Sequence, residues 1–395
     1  MEEWKSYKLG DISTIQTGPF GSQLHQSDYV ESGVPCIMPT NIGRMLDFQV
    51  AGIAHISEGD ALKLSRHIVH EGDIVYSRRG DIEKCAYVSQ EQDGWFCGTG
   101  CLKITINSNL AVPKFVAYYL STDEIKSWIV GNAVGTTMLN LNTSVLADVP
   151  LSLPSIQMQK RCVQILDSIE NIIALNDRIN HNLEEQIQER FDSMIISDNG
   201  LGYCQIADYV DVNPKRSLRK NEPAKCVDMS YLSTTGPFPS GWETKGYNGG
   251  MKFFNGDTIM ARITPCLENG KVAYVNFLDD GETAFGSTEF IVLHAKEGVD
   301  PVFTYFLVRN KNFVDYATKN MNGSSGRQRV SGDTIGKYMI PVIDSHSLNE
   351  FSGFATPAME VIRNNSFESR SLAATRDALL PLLLSGELSI SQMNC

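Results

Sequence analysis

The chain has 395 residues, a formal net charge of −12 at pH 7, 42% hydrophobic residues and 20% charged residues. This length exceeds one ordinary core and predicts two or three domains of globular composition. No apolar run reaches the roughly 18 residues of a membrane-spanning helix, and the start MEEWKSYKLGDIS lacks the features of a secretory signal. We therefore expect a cytoplasmic protein that does not contact a membrane.

The nine cysteines are scattered along the chain and are never spaced CxxC. Cys97 and Cys101 are four residues apart, but no second pair of ligands stands near them in the sequence. Reduced structural thiols are therefore favoured over a zinc site.

The first third of the chain predicts short strands followed by a helix. GDIVYS (72–77), CAYVS (85–89) and CLKITI (101–106) are rich in β-branched and aromatic residues and are bounded by polar or glycine residues. A helical pattern follows at 113–130, and then the polar segment GTTMLNLNTS (135–144). This part is predicted to be a mixed α+β domain.

A long amphipathic helix is predicted next, over residues 155–196, because apolar residues recur there in steps of three and four without glycine or proline. At 1.5 Å per residue, such a helix would be roughly 60 Å long. The packing positions that define its stripe are Ile165, Ile169, Ile172, Ile179, Leu183 and Ile187.

A basic segment follows this helix. NPKRSLRKNEPAK (213–225) holds five basic residues and one acidic residue, although the acidic total argues, taken alone, against a nucleic-acid-binding protein. Smaller clusters are formed by Arg78 with Arg79 and by Arg327 with Arg329. A single such cluster is more typical of a solvated loop than of a binding site.

The first part of the chain is then repeated. HEGDIVYSRRG (70–80) corresponds to NGDTIMARIT (255–264), with Gly72 and Gly256 lying 184 positions apart. KCAYV (84–88) corresponds to KVAYV (271–275), and GTTMLNLNTS corresponds to GSSGRQRVSG (323–332). A period this long predicts two tandem domains of one fold rather than a solenoid.

A second long helix is predicted over 346–386, with packing positions at Phe351, Ile362, Leu372 and Leu379. Pro381 interrupts this pattern, so we expect a kink or an end near Ala378. Two long apolar stripes most simply bury each other as an antiparallel coiled coil. The expected fold is therefore α+β, with two globular domains separated by two long helices and an internal pseudo-two-fold repeat.

Two similar domains held at a fixed separation are suited to reading two DNA half-sites with an unread gap. The whole chain resembles the specificity subunits of Type I restriction–modification systems. The segments that carry this resemblance are KLGDISTIQTGPFGS (8–22), GDIVYSRRG (72–80), VPLSLPSIQMQ (149–159), GDTIMARITPCLENGKVAYV (256–275), GSSGRQRV (323–330) and LLPLLLSGELSI (379–390). VIDSHSLNE (342–350) departs from the corresponding LSLPSIQMQ, which leaves the entry to the second helix less defined.

The resemblance implies four segments: a first target-recognition domain (1–154), a central helix (155–198), a second target-recognition domain (199–344) and a C-terminal helix with a tail (345–395). It implies a subunit without catalysis or a cofactor of its own. Its partners would be double-stranded DNA and two DNA-adenine methyltransferase subunits that carry S-adenosylmethionine, with motor-nuclease subunits as optional further partners.

Candidate DNA-binding residues lie in loops and at strand ends, where arginine and amide side chains can reach base edges and lysines can reach phosphates. In the first domain they are Gln23, Arg78, Arg79, Thr136, Thr137 and Asn140. In the second they are Lys215, Arg216, Arg262, Lys271, Ser324, Ser325, Arg327, Gln328 and Arg329.

Other functional classes have weaker support. Glu243 and Lys245 match an E-x-K nuclease fragment with Asp228 upstream, but the first copy of the repeat lacks it. A methyltransferase would need a glycine-rich cofactor turn, and GDTIGKY (332–338) lacks the spacing of a phosphate-binding loop. The remaining alternative is a coiled-coil protein-interaction scaffold that reads no DNA sequence itself.

Overall fold

The computed structural model describes residues 4–133, 140–196, 200–324 and 326–388. The chain forms two compact units, of which unit 1 comprises Met1–Asn171 with Leu372–Cys395, and unit 2 comprises Ile172–Ser371. Two helices of 41 residues each contribute to both units, namely α6 (Ile156–Ile196) and α10 (Ser345–Ser385). The sequence-based division into four segments gave each helix a segment of its own, whereas these units divide both helices.

Unit 1 contains ten strands and five short helices besides its parts of α6 and α10. The strands are β1 (Lys5–Lys8), β2 (Ser13–Thr17), β3 (Tyr29–Val30), β4 (Val34–Ile37), β5 (Ala54–Ile56), β6 (Ile74–Ser77), β7 (Cys85–Tyr87), β8 (Phe96–Cys97), β9 (Cys101–Ile106) and β10 (Pro150–Leu153). The helices are α1 (Leu9–Ile12), α2 (Glu58–Lys63), α3 (Pro113–Leu120), α4 (Asp123–Asn132) and α5 (Thr143–Ala147). These counts refer to the described part of the unit.

The strands of unit 1 form two four-stranded sheets, in the orders β2-β9-β6-β7 and β3-β5-β4-β8, and the two-stranded ribbon β1-β10. The first sheet is antiparallel throughout, and its central strands β6 and β9 are almost wholly buried. In the second sheet β4 pairs with β8 in parallel. The ribbon joins the start of the domain to the residues that precede α6.

Unit 2 repeats the first sheet, the ribbon and the parallel pair of the second sheet, but the second sheet has its additional edge strand on the other side. Its strands are β11 (Tyr203–Gln205), β12 (Val210–Val212), β13 (Pro223–Val227), β14 (Glu243–Gly246), β15 (Met251–Phe253), β16 (Asp257–Ala261), β17 (Val272–Tyr274), β18 (Ala284–Gly286), β19 (Phe290–Ala295) and β20 (Met339–Pro341). Its shorter helices are α7 (Val302–Arg309), α8 (Lys311–Lys319) and α9 (Gly332–Gly336). The sheets have the orders β12-β19-β16-β17 and β14-β13-β18-β15, and the ribbon is β11-β20. The predicted duplication of one α+β fold is therefore confirmed.

The repeated Gly-Asp pair has a structural cause. Gly72 and Gly256 have φ angles of 95° and 89°, in the left-handed region that favours glycine. Asp73 and Asp257 are buried, and each carboxylate accepts a backbone N–H from three residues upstream, at 2.9 and 3.0 Å. Each Gly-Asp pair thus makes the tight entry to a central strand, β6 or β16.

The long helices pack antiparallel in each unit, as expected. In unit 1 the Sγ of Cys162 lies 3.8 Å from the carbonyl oxygen of Leu383, and the guanidinium of Arg376 pairs with Glu170 at 2.7 Å. In unit 2 a polar layer joins the helices: Asn176 Nδ2 donates to Glu368 at 2.9 Å and to Ser369 at 3.3 Å, and Asn365 Nδ2 donates to Asn180 at 2.9 Å.

Two of the predicted packing positions are wrong. Ile172 and Ile179 are 42% and 37% exposed, because Asn176 and Asn180 face α10 at that level. Ile187, Phe351 and Ile362 are buried, whereas Ile165, Ile169, Leu183, Leu372 and Leu379 are partly buried. In unit 1 the buried apolar positions of the two long helices are Cys162, Leu166, Leu380, Leu383 and Leu384, which the predicted stripe largely missed.

We also predicted a kink or an end of the second helix near Ala378. The helix does not end there, because α10 continues to Ser385. Pro381 lies in the last turns, where burial of Leu380, Leu383 and Leu384 compensates for the missing backbone hydrogen bond. A second proline, Pro357, lies in the middle of the same helix, next to the buried Ala358 and Met359.

The thiols are consistent with the predicted structural role. The eight cysteines in the described ranges are buried or partly buried. No group of three metal-ligating side chains converges there. Among the described residues, no helix combines the length and apolar composition that a membrane crossing requires.

Candidate nucleic-acid interface

A backbone frame holds Arg78 at the end of β6. Its N–H donates to the carbonyl oxygen of Gly100 at 2.8 Å, and its own carbonyl accepts the N–H of Leu141 at 3.0 Å. Arg79 forms an isolated antiparallel bridge with Asn140. Residues from three separate parts of the chain therefore meet at this strand end.

Side chains extend this frame into a polar patch on unit 1. Arg78 Nε donates to Asn140 Oδ1 at 3.2 Å, and the Arg78 guanidinium carbon lies 5.7 Å from the centre of the Phe20 ring. Phe20 is 53% exposed. Gln23 Oε1 accepts from the backbone of Phe20 at 3.3 Å and from Arg66 at 3.4 Å. We call Phe20, Gln23, Arg66, Arg78 and Asn140 the first patch.

The first patch gathers three of the residues predicted from the sequence and adds Phe20 and Arg66. The sequence segment KLGDISTIQTGPFGS carried the resemblance but did not indicate an exposed aromatic ring beside Arg78. Arg79 is exposed at the edge of this patch. Thr136 and Thr137 lie outside the described residues.

A buried imidazole anchors Arg66. Arg66 Nε donates to His67 Nε2 at 3.0 Å, and Lys103 Nζ donates to the carbonyl oxygens of Arg66 and Ile68, each at 2.8 Å. Burial, together with the neighbouring charges of Arg66 and Lys103, lowers the pKa of His67 to about 4. The imidazole is therefore neutral near pH 7 and can accept the bond that orients Arg66.

The corresponding position in unit 2 is Arg262, after β16. Its N–H donates to the carbonyl oxygen of Glu289 at 3.0 Å, and its carbonyl accepts the N–H of Val330 at 3.0 Å. Ile263 and Arg329 form the isolated bridge that corresponds to Arg79 and Asn140. Both units thus build the same backbone frame and place different side chains on it.

One carboxylate organises the arginines of this second frame. Arg329 Nε lies 2.9 Å from both carboxylate oxygens of Glu289, and its Nη2 lies 2.7 Å from Oε1. Arg262 Nε lies 3.6 Å from Oε2, an ion-pair distance beyond a hydrogen bond. The hydrogen bonds from Arg329, and secondarily the charges of Arg329 and Arg262, lower the pKa of Glu289. We call Arg262, Glu289 and Arg329 the second patch.

The loop beside this patch is a tight hairpin. Asn322 and Arg329 exchange both backbone hydrogen bonds at 2.9 Å, and the N–H of Arg327 donates to the carbonyl oxygen of Ser324 at 3.0 Å. Arg327 and Ser324 are exposed. The carbonyl oxygen of Gln328 accepts from the backbone of Thr264 at 3.1 Å, which holds the hairpin to the domain. Ser325 lies outside the described residues.

Two of the predicted DNA-binding residues of unit 2 bind other groups of the protein instead. The Arg216 guanidinium lies 3.7 Å from the centre of the Phe254 ring and pairs with the buried Asp257 at 3.3 Å. A buried carboxylate needs such a countercharge, so Arg216 is not a free contact on a flexible loop. Lys271 Nζ donates to the carbonyl oxygen of Met229 at 3.0 Å. Lys215 remains exposed.

The nuclease-like fragment forms an ion-paired cluster on β14 and on the residue that follows β13. Lys245 Nζ lies 2.9 Å from Asp228 Oδ2 and 2.9 Å from Glu243 Oε2. All three side chains are about half exposed, and Lys245 occupies the space between the two carboxylates. This geometry is that of a surface ion-pair network.

Comparison with known proteins agrees with this architecture. The family model described as the Type I restriction modification DNA specificity domain matches residues 1–185. The chain is 20% identical over 468 residues to the Type I restriction enzyme HindI specificity subunit of Haemophilus influenzae, covering 98% of this chain and all of that protein. It is 22% identical to the MjaIX specificity subunit of Methanocaldococcus jannaschii, covering 99% of this chain and 95% of that one.

The fold has a match among solved structures as well. The S subunit of a Type I restriction–modification system from M. genitalium superposes with a TM-score of 0.61 at 13% identity, covering 97% of this chain and 96% of that one. The duplicated α+β domains with their paired long helices thus form a fold that a solved structure already shows. The chain is therefore similar along nearly its whole length to Type I restriction enzyme specificity subunits, and residues 1–185 match the model of a DNA specificity domain.

Proposed function

We propose that each unit reads one half of a bipartite, asymmetric DNA site, unit 1 through the first patch and unit 2 through the second patch. The observation that carries this proposal is the shared backbone frame around Arg78 and Arg262, which holds different side chains in the two units. Equivalent positions with different chemistry are what two different half-sites require. Arginine and asparagine at such positions are the side chains suited to guanine and adenine edges.

The proposed catalytic partners are two DNA-adenine methyltransferase subunits, which would bind S-adenosylmethionine and methylate adenine N6. The chain itself would supply recognition without catalysis, in the cytoplasm where its DNA lies. Motor-nuclease subunits would join in a complex that also restricts. The acidic total charge fits this division, because the methyltransferases would make much of the phosphate contact.

An exposed apolar stripe on α6 supports a docking surface for a methyltransferase subunit. Ile172, Leu175 and Ile179 are all exposed, although they lie three and four residues apart on one helix face. An apolar face next to the polar layer of α6 and α10 is costly in water unless another protein covers it. We therefore expect Leu175→Asp to weaken methyltransferase binding, while Ala174→Asp, on another exposed face of the same turn, leaves it unchanged.

The experiment is reconstitution of the full chain with its cognate DNA-adenine methyltransferase, followed by sequencing of the methylated positions in genomic DNA. A bipartite methylated sequence is expected, and the isolated chain is expected to methylate nothing. Methylation without sequence preference would instead favour the alternative function of a coiled-coil scaffold. Methylation by the isolated chain would overturn its assignment as a subunit without catalysis.

A further inference from the structure

Hydrogen bonds orient the side chain of Arg329 but do not use all of its N–H donors. A guanidinium carries five N–H donors. Its Nε–H and one Nη2–H are directed to Glu289, and one Nη1–H is directed to the carbonyl oxygen of Arg327 at 3.1 Å. Two donors remain, one on each terminal nitrogen. Both terminal nitrogens therefore keep a donor for a partner outside the protein, and the planar edge that they share is suited to two adjacent acceptors.

Glu289 is the group that fixes this orientation. Its carboxylate makes three short contacts with Arg329, and Glu289 itself is the residue just before β19. Its own N–H donates to Ser287 Oγ at 3.1 Å, which steadies its backbone. The Glu289 and Arg329 side chains are 26% and 38% exposed, so the pair is partly withdrawn from water while part of Arg329 reaches the surface.

The charge balance is compatible with DNA. Arg262 and Arg329 share one carboxylate, so the second patch carries a net charge of about +1. Glu289 is ionised at neutral pH, because its bonds to Arg329 lower its pKa. A carboxylate enclosed by two guanidinium groups repels phosphates much less than a free one.

Unit 1 provides an internal comparison. In the backbone frame of unit 1, Gly100 occupies the position of Glu289, and Asn140 occupies the position of Arg329. Arg78 is oriented by the Asn140 amide rather than by a carboxylate. Arg78 in unit 1 and Arg329 in unit 2 are therefore oriented by different groups, and the two units present different donor patterns.

Building on the proposed function, we propose that Glu289 is a positioning residue that presents the free N–H pair of Arg329 to a guanine in the half-site read by unit 2. Guanine offers O6 and N7 in the major groove as adjacent acceptors, which is the pattern that a paired donor matches. Adenine presents the acceptor N7 beside the N6 amino donor in the major groove, so it offers only one of the two acceptors that a pair of donors needs. Glu289 touches the arginine and not the base.

The test uses the reconstituted complex of the full chain with its methyltransferase. Methylation rates are measured on duplexes that carry each of the four bases at every position of both half-sites. Glu289→Gln keeps the size of the side chain but removes the charge that holds Arg329. We expect discrimination in favour of guanine at one position of one half-site to fall by about 5- to 150-fold, with no change in the other half-site. Arg329→Ala should alter the same position.

Glu282→Gln is the matched control. Glu282 is also a partly buried, ion-paired glutamate of unit 2, bound to Lys225 at 2.8 Å, and it is no part of the second patch. The base preferences of the Glu282→Gln complex should equal those of the wild-type complex. Thermal unfolding of all variants separates a loss of folding from a loss of discrimination.

Three results would overturn the inference: unchanged base preferences in Glu289→Gln, an equal loss of methylation on every duplex, or a changed position that differs from the one affected by Arg329→Ala. These outcomes leave the proposed function intact, because the wild-type complex still reads its site. A wild-type complex that methylates all duplexes alike would overturn the proposed function itself.

Discussion

Arg78 Nε donates to Asn140 Oδ1 across 3.2 Å, although the two residues are 62 positions apart in the chain. The bond joins the end of β6 to the segment that leads into α5, and it lies beside the backbone bridge between Arg79 and Asn140. Arg78 is thereby held at the surface with part of its guanidinium free.

Replacing Arg78 by alanine is expected to relax recognition of one half-site only. A lost base contact reduces discrimination by about 1–3 kcal/mol at one position. The measurement is sequencing of the positions methylated by the reconstituted variant. Lys84→Ala is the control, since Lys84 is an exposed residue of the same unit that pairs with Asp81. Relaxation of both half-sites by Arg78→Ala would contradict two separate reading surfaces.

Arg327 is expected to behave differently from Arg329. It is exposed at the hairpin, and its side chain makes no ion pair with the residues that the structure describes, so we expect a phosphate contact. Arg327→Ala should weaken binding to all sequences about equally and reduce the salt dependence of binding by about one ion. Binding of the complex to specific and unrelated duplexes at several salt concentrations measures this. A base-specific change would instead place Arg327 at a base edge.

The polar layer between the long helices is expected to contribute to stability. Asn176→Ala removes two hydrogen bonds to α10 and should lower the free energy of unfolding by about 1–2 kcal/mol. Urea unfolding of the full chain measures the effect. Leu175→Ala, one residue away but exposed, should change stability by less than about 0.5 kcal/mol. Equal effects of both substitutions would show that the layer has no special role.

The stability of unit 1 is expected to fall in mild acid because of His67. This residue is 2% exposed, and its pKa is lowered to about 4 from an ordinary value near 6.5. Between these values the unfolded chain binds a proton that the folded chain does not, so stability decreases as the pH falls through this window, by up to roughly 3 kcal/mol. His67→Gln should flatten the pH profile of unfolding, whereas His25→Gln, at an exposed position, should not. A wild-type profile without a slope between pH 6.5 and 4 would refute the assignment.

Much of the architecture followed from local patterns. The strands β6, β7, β9, β16, β17 and β19 and both long helices were predicted, because short β-branched and aromatic runs between polar or glycine residues indicate strands, and an apolar period of three to four residues indicates a helix. The helical stretches 113–130 and 301–319 are each two helices in fact. Asn310 ends one helix and caps the next by accepting the N–H of Phe313, a signal that periodicity does not contain.

The sites were less accessible to sequence reasoning. Glu289 and Phe20 were missed because their significance depends on which strand ends meet, and strand pairing is not visible in a single chain. Aligning WFCGTGCLKI (95–104) with AFGSTEFIVL (284–293) places Glu289 opposite Gly100, so the two copies differ in chemistry at this position. Ile172 and Ile179 were misassigned because an apolar stripe does not reveal which side of a helix its partner covers.

The frame around Arg78 and Arg262 is made entirely of main-chain hydrogen bonds. Main-chain groups are the same for nearly every amino acid, so substitutions at Asn140, Glu289 or Arg329 can leave these bonds in place, whereas Gly100, with a φ of 91°, favours glycine. Selection can therefore change the sequence that is recognised without first repairing the fold. A protein built in this way can acquire new targets through few substitutions, and one unit can diverge while the other keeps its own preference.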